Sequence, residues 1–180
     1  MKKVFDGKMY KMKDAPTNTL EERIQRLEDI EAIKEIMYNY CYSADNLDGI
    51  GMSACFTETG IMSMGDVFPS KYHGREAIAK FFEGKLDEAL TSSHYIANIQ
   101  IWFETPDSAM MVAYVYAWKR FHDYPNKSDY EMHGRYETQA VRNTDEEWRL
   151  ESLKLVIAGM TPGNRVNEQH NRPWPPVPNK

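Results

Sequence analysis

The sequence predicts a single α+β domain in which a curved mixed or antiparallel sheet wraps around helices. In the first half of the chain apolar residues recur every three or four positions, which is the period of an amphipathic helix. After residue 93 the apolar spacing changes to two, the period of strands. Helices followed by a run of antiparallel strands favour one curled sheet closed by helices. We expect a cone with an internal cavity at its wide end.

The first predicted helix begins after Thr19 and is the longest in the sequence. Thr19 and Glu22 have the spacing of a capping box, in which each side chain accepts a hydrogen bond from the other residue's backbone N–H. Apolar residues then continue at helical spacing from Ile24 to Ala44, and the polar and glycine residues 46–49 end the helix. Two further helices are predicted, a short one over residues 51–56 and one that begins at residue 74.

Six strands are predicted after or between these helices, and turn residues separate them. They cover residues 61–64, 71–73, 94–103, 110–121, 130–142 and 148–158. Residues 1–18 are interpreted as an N-terminal arm, residues 19–160 as the domain, and residues 161–180 as a Pro-rich tail. The stretch 173–178 has a composition that favours an extended conformation without a partner strand.

Composition narrows the classes of partner. The net charge is −5, and charges of both signs are interspersed, so nucleic acid and anionic membranes are poor partners. No apolar run reaches the roughly 18 residues of a membrane-spanning helix. The N-terminus lacks the pattern of a secretory signal, and the two cysteines form no disulfide framework. These features predict a cytoplasmic protein.

The sequence carries no recognisable metal or cofactor motif. None of the five histidines stands in a metal-ligand spacing, and neither a glycine-rich phosphate loop nor a nucleophile elbow is present. We therefore predict no metal site and no cofactor. The aromatic share of 12% and the 11 methionines suit a cavity for a bulky apolar ligand, although they also suit an ordinary core.

Asp45 and His94 are the first candidates for chemistry. Asp45 lies at the C-terminal end of the long helix, where the helix dipole disfavours a carboxylate unless it has a partner. The alternative is that it simply ends the helix. Tyr40 lies about 140° around the helix from Asp45, so both side chains can flank one pocket. His94 begins a strand, either as a solvated surface residue or as a general base.

The order of elements and several motifs together resemble the NTF2-like (SnoaL-like) superfamily, over about residues 20–160. The similar stretches are residues 30–36 followed by Tyr40 and Asp45, residues 72–78, Ser93-His94-Tyr95, residues 134–142 and residues 148–150. They are most similar to members of the bile-acid dehydratase, scytalone dehydratase and lindane dehydrochlorinase types. The resemblance implies a cofactor-independent lyase or isomerase that acts on a hydrophobic cyclic, steroid-like or polyketide-like molecule.

The resemblance also implies roles for single residues. His94 would be the general base, Asp45 the carboxylate that orients it, and Tyr40 the donor to a substrate oxygen or leaving group. Arg142 matches approximately a strand position that carries a functional arginine in the dehydrochlorinase. The second acid that bile-acid dehydratases carry on the middle strand is missing here, so His122, His133 and Tyr116 are the alternatives for it. The predicted substrate-binding residues are Tyr116, Trp118, His133 and Arg142.

Two other functions stay open at this point. The first is a non-catalytic member of the superfamily, either a ligand-binding module or a structural subunit similar to the β subunit of ring-hydroxylating dioxygenases. The second is a monooxygenase without a cofactor. The Asp45 and His94 combination favours the lyase or isomerase, since a structural subunit needs neither residue. An apolar sheet face and the Pro-rich tail predict a homodimer or homotrimer.

Overall fold

The computed structural model describes residues 14–65 and 70–161, together with the backbone of residues 165–166. It confirms the predicted α+β class with a curved sheet around helices. The helices are α1 (Leu20–Asp45), α2 (Gly49–Ala54) and α3 (Arg75–Leu86). The strands are β1 (Phe56–Ser63), β2 (Lys71–His73), β3 (Ala89–Thr105), β4 (Ser108–Phe121), β5 (Tyr130–Arg142), β6 (Trp148–Thr161) and β7 (Arg165–Val166).

The capping box at the start of α1 forms as predicted. The Glu22 backbone N–H donates to Thr19 Oγ1 at 3.1 Å, and the Thr19 N–H donates to Glu22 Oε2 at 3.2 Å. The buried face of the helix begins later than the apolar pattern indicated, because Ile24 and Leu27 are exposed. Burial starts at Asp29 and continues along the helix to its last turn. The C-terminal half of α1 therefore carries most of its packing on the sheet.

The sheet has the order β2-β1-β6-β5-β4-β3, and β7 pairs with β6. The β1–β6 pair is parallel and the other pairs are antiparallel, so the sheet is mixed. The register of β3 against β4 shifts between Ala97 and Gln100, where Asn98 has a φ of 50°. Such a bulge bends a strand and increases its twist. The bend lets the long strands curve around α1 and α3.

Several strand boundaries differ from the sequence prediction. β3 begins at Ala89, five residues before His94, so His94 lies within a strand and not at its first position. The chain segment interpreted as a tail contributes β7, whereas the Pro-rich stretch 173–178 lies outside the described residues. In the segment interpreted as an arm, the Ala15 N–H donates to the Phe103 carbonyl at 2.8 Å. At least this end of the arm is attached to β3.

The inner face of the sheet, which packs against α1 and α3, is set by the alternation along β4 and β5. Val115 and Ala117 on β4 are buried in the same cluster as Met132 and Tyr136 on β5 and the apolar residues of α1. The residues between them point to the outer face, where Tyr114 is 41% exposed. The tyrosine side chains of β4, Tyr114 and Tyr116, thus lie on the side of the sheet away from the helices.

Candidate active site

The end of α1 and the strand β3 meet through Asp45 and His94. Asp45 Oδ1 lies 2.7 Å from His94 Nδ1, and Asp45 Oδ2 accepts the backbone N–H of His94 at 3.0 Å. One carboxylate therefore holds both the imidazole ring and the strand that carries it. This contact also gives Asp45 the partner that its position at a helix C-terminus requires.

The contact fixes the tautomer of His94. Because a carboxylate oxygen accepts hydrogen bonds, the neutral imidazole tautomer that fits this contact carries its proton on Nδ1 and its lone pair on Nε2. The His94 side chain is 12% exposed and lines a cavity enclosed by the sheet and the helices. The free nitrogen is thus available to accept a proton from a ligand in that cavity.

The cavity has a volume of about 480 Å³, which lies within the ~300–1,000 Å³ range of ligand pockets. Its wall is mostly apolar and aromatic, with contributions from α1, α3 and the inner face of the long strands. The residues that line it include Tyr40, Ala44, Met52, Met64, Tyr72, Phe81, Phe82, Leu86, Ala117, Phe121, Tyr130, Met132, Tyr136, Leu153 and Leu155. An apolar molecule of moderate size fits such a space.

Tyr40 lies in this wall, one turn and a half before Asp45 on α1. Its ring makes edge contacts with Phe82 and Tyr136, with ring centroids 5.9 Å and 5.6 Å apart. Burial raises the pKa of the Tyr40 hydroxyl well above its ordinary value. The hydroxyl therefore stays protonated at neutral pH and can act as a hydrogen-bond donor.

Two polar residues of the wall were missed by the sequence analysis. Lys119 on β4 and Ser92 on β3 both line the cavity and lie opposite each other in the strand register. Burial lowers the pKa of the Lys119 ammonium group. The signal that could have found Lys119 is its strand parity, since it shares the inner face with Val115 and Ala117.

The predicted binding residue Trp118 borders the cavity. The Arg120 guanidinium lies 5.5 Å from the centre of the Trp118 ring, and both residues have the outward parity of β4. Trp118 is therefore a residue of the cavity margin. Its role in substrate binding stays a prediction.

The structure places Tyr116 and His133 outside the cavity. They are register partners on β4 and β5, with ring centroids 4.8 Å apart, and they line a shallow groove on the outer face of the sheet. The physical reason is the pleat, because alternate residues of a strand point to opposite faces. These two predicted binding residues are separated by the sheet from His94. His122, the third alternative for the acid, does not line the cavity either.

Arg142 is also placed away from the cavity. Its guanidinium is 2.8 Å from Asp29 Oδ1 and 2.9 Å from Asp107 Oδ1, and it lies over the Trp148 ring at 4.9 Å. Asp29 additionally accepts the Trp148 indole N–H at 2.9 Å. The predicted substrate-binding arginine thus belongs to a structural cluster at the opposite end of α1.

Among residues 14–65 and 70–161, no three histidine, cysteine or carboxylate side chains cluster in a way that could hold a metal ion. In the same part of the chain, no helix is long and apolar enough to cross a membrane.

A family model for the SnoaL-like domain matches residues 25–154. The solved structure named "Putative Scytalone Dehydratase", from Novosphingobium aromaticivorans DSM 12444, is similar with a TM-score of 0.70 and 24% identity, over 88% of this chain and 99% of that chain. A type 2 hexachlorocyclohexane dehydrochlorinase has a TM-score of 0.69 and 16% identity, over 85% of this chain and 99% of its own.

A further similar structure is an NTF2-like protein with a cystatin-like fold, also from Novosphingobium aromaticivorans. It has a TM-score of 0.63 and 19% identity, over 77% of this chain and 87% of that chain. At these identities the likeness shows the fold. No curated protein matches the chain in sequence.

Proposed function

The chain belongs to the SnoaL-like domain family, and we propose that it is a cofactor-independent lyase or isomerase in which His94 is the general base. The observation that carries the proposal is the 2.7 Å contact between Asp45 Oδ1 and His94 Nδ1, at the wall of an apolar cavity. It leaves Nε2 as the proton acceptor of the neutral ring, on a side chain that lines the cavity.

The reaction begins with removal of a proton from carbon. His94 Nε2 takes a proton from a carbon next to a carbonyl or another activating group, and the electron pair of the broken C–H bond forms a double bond. Asp45 stabilises the imidazolium that results and holds its orientation. In an elimination the leaving group departs with the electron pair of its own bond. In an isomerisation the proton returns to another carbon.

Tyr40 supports the departing or developing negative charge. Its hydroxyl stays protonated because burial raises its pKa, so it donates a hydrogen bond to a substrate oxygen or leaving group. Positioned acid–base groups contribute roughly 10²–10⁴-fold each to a rate. The interaction of the developing charge with this hydroxyl is stronger in an apolar cavity than in water, because it is less screened there.

The substrate class proposed is a hydrophobic cyclic molecule, steroid-like or polyketide-like in size. The support is the cavity volume of about 480 Å³ and its wall of aromatic, leucine and methionine side chains. The names of the dehydratase and dehydrochlorinase neighbours favour elimination as the type of chemistry. Neither neighbour fixes the substrate of this chain.

The test is turnover of a panel of 3-oxo steroids, naphthols and terpenoids by the wild type and by the His94→Ala variant. We expect the variant to lose roughly 10²–10⁴-fold in kcat/KM, because the base is removed. His73→Ala is the matched control, since His73 is exposed on β2 and does not line the cavity. Exchange of substrate C–H for C–D in deuterated water, followed by NMR, detects proton removal even where no elimination follows.

Two outcomes would count against the proposal. Equal turnover and equal exchange in the wild type and in His94→Ala would remove His94 as the base. Stable co-purification with a larger oxygenase subunit, with no turnover of any panel member, would favour the alternative of a non-catalytic structural subunit.

A further inference from the structure

The charge inside the cavity differs from the charge of the whole chain. The chain carries a net charge of −5, whereas the charged residues that line the cavity are Lys85, Lys119, Lys127, Glu88 and the titratable His94. Glu88 is engaged with Lys127 at 2.5 Å. Lys85 and Lys119 are left as an excess of positive charge, so the local field at the wall favours an anion.

Lys119 is the lysine on the inner face of the sheet. It is half-buried, and within the described residues no carboxylate is close enough to form an ion pair with it. Burying an ammonium group is costly, and this cost lowers the pKa of Lys119 even though the nearby charges of Glu88 and Asp45 act to raise it. An anionic group of a ligand would supply a direct partner for the ammonium group.

Ser92 gives a second and independent observation at the same place. Its side chain is 7% exposed, it lines the cavity, and its Oγ has no hydrogen-bond partner among the described residues. Buried hydroxyl groups nearly always have a partner, so an unpartnered one at a cavity wall is available for a hydrogen bond with a ligand atom. Ser92 lies directly opposite Lys119 in the register of β3 and β4.

We infer that Lys119 and Ser92 form an anion subsite, and that the ligand of the cavity is an apolar molecule carrying a carboxylate or a comparable oxyanion. The Lys119 ammonium neutralises the charge, and the Ser92 hydroxyl donates to one oxygen. The inference rests on the proposed function in one respect, because it takes the ligand of this cavity to be the substrate of His94.

The register also fixes how far the subsite is from the reacting centre. Ser92 and His94 are two residues apart on the same face of β3, which is about 7 Å along the strand. The acidic group of the substrate therefore lies a few bonds from the carbon that loses its proton. An apolar acid bound in this way would present the same carbon to Nε2 in every encounter.

The test compares two probes that differ mainly in charge. Anilinonaphthalenesulfonate is an anionic aromatic dye, and phenylnaphthylamine is a neutral dye of similar size and shape. Their dissociation constants are measured by fluorescence titration for the wild type, Lys119→Met, Ser92→Ala and Lys80→Met. Lys80 is exposed on α3 and outside the cavity, so its variant is the matched control for the loss of one positive charge.

We expect Lys119→Met to weaken binding of the sulfonate by about 10-fold, because a charge-assisted contact is lost. Binding of the neutral dye should change by less than about 2-fold, and Lys80→Met should change neither. Ser92→Ala should weaken binding of the sulfonate dye by a few-fold, the effect expected when one hydrogen bond from a neutral donor is lost. Equal weakening of both dyes by Lys119→Met, or no effect on either, overturns the inference.

The His94→Ala variant separates this inference from the proposed function. If it retains the wild-type preference for the anionic dye while its turnover is lost, both statements hold. If no member of the panel, extended by carboxylic acids of the same ring systems, is turned over but Lys119→Met still abolishes the preference, the anion subsite stands and the acid–base function fails. If turnover depends on His94 but the dyes do not distinguish Lys119→Met from the wild type, only the subsite fails.

Discussion

Two carboxylates of helix α1, Asp29 and Asp45, contact residues of the sheet, and their surroundings differ. Asp29, in the N-terminal half of α1, contacts Arg142 and the Trp148 indole in a closed cluster, and its side chain is 7% exposed. Asp45, the last residue of the helix, contacts the ring and the backbone of His94, and its side chain is 30% exposed. The first cluster is filled by protein groups, whereas the second borders a cavity.

The difference between the two lies in the partner. Arginine stays charged at every relevant pH, so the pair of Asp29 and Arg142 cannot exchange a proton with a ligand. Histidine gains and loses a proton near neutrality, and one nitrogen of His94 is left free. The same kind of contact between helix and sheet is therefore structural at one end of α1 and suited to chemistry at the other.

The largest effect is expected where the closed cluster is broken. Asp29→Ala should lower the free energy of unfolding by about 3–5 kcal/mol, because Arg142 and the Trp148 indole N–H lose their buried acceptor. Urea denaturation measures this change. Asp107→Ala is the control, since it removes the exposed carboxylate of the same arginine and should cost about 1 kcal/mol or less. Equal losses in the two variants would show that the buried contact has no special weight.

At the cavity end the larger loss should be in activity. Asp45→Asn keeps an oxygen that can accept a hydrogen bond but removes the charge that stabilises the imidazolium. We expect kcat/KM to fall about 100-fold, which is about 2.7 kcal/mol of transition-state free energy. The free energy of unfolding should fall by only about 1 kcal/mol. A stability loss as large as that of Asp29→Ala, with turnover intact, would reverse the comparison.

A smaller loss of activity is expected from Tyr40. Tyr40→Phe keeps the edge contacts of the ring with Phe82 and Tyr136 and removes only the hydroxyl. Turnover should fall about 10-fold, the size of one donor hydrogen bond, with a change in unfolding free energy of about 1 kcal/mol or less. Steady-state kinetics and thermal denaturation give the two values. Unchanged turnover would place the hydroxyl outside the reaction.

The smallest expected effect is a gain in the free energy of unfolding and not a loss. Lys119→Met should raise the free energy of unfolding by about 1 kcal/mol at pH 7, because the half-buried ammonium group is replaced by an apolar side chain. Since burial lowers the pKa of Lys119 in the folded state, the unfolded chain binds more protons between that lowered pKa and 10.5. Wild-type stability therefore rises with pH in this window.

The advantage of the Met variant should accordingly fade as the pH approaches 10.5. Urea denaturation of both proteins at a series of pH values follows the difference. A destabilised variant, or an advantage that does not depend on pH, would show that the lysine is not held at a cost in the cavity wall.

The order of the helices and strands could be predicted from the sequence alone, and so could the N-terminal end of α1. The capping box at Thr19 and the strand over 130–142 were predicted correctly, because local spacing encodes helix starts and strand periods. The proximity of Asp45 and His94 came from the resemblance, since residues 49 positions apart give no spacing signal.

The substrate-binding residues were harder to predict, because an aromatic residue type does not indicate which face of a sheet its side chain occupies. Tyr116 was assigned to the pocket as an alternative for the missing acid and as a binding residue, yet the inner face of β4 carries the smaller Val115 and Ala117, which make room for α1 and the cavity. Arg142 was assigned from the resemblance, and its contact with Asp29 joins residues 113 positions apart. Strand parity relative to the helices decides such cases, and it depends on tertiary packing.

Asp45 holds His94 through two hydrogen bonds, and these determine when the imidazole ring becomes oriented. The ring of His94 cannot rotate without loosening the hydrogen bond at Nδ1, and the strand cannot shift without loosening the one at the backbone N–H. The orientation of the imidazole is thus acquired once, when the chain folds, and does not have to be found again at each encounter with a ligand. The hydrogen bond of the His94 backbone amide and the orientation of its ring depend on the same carboxylate.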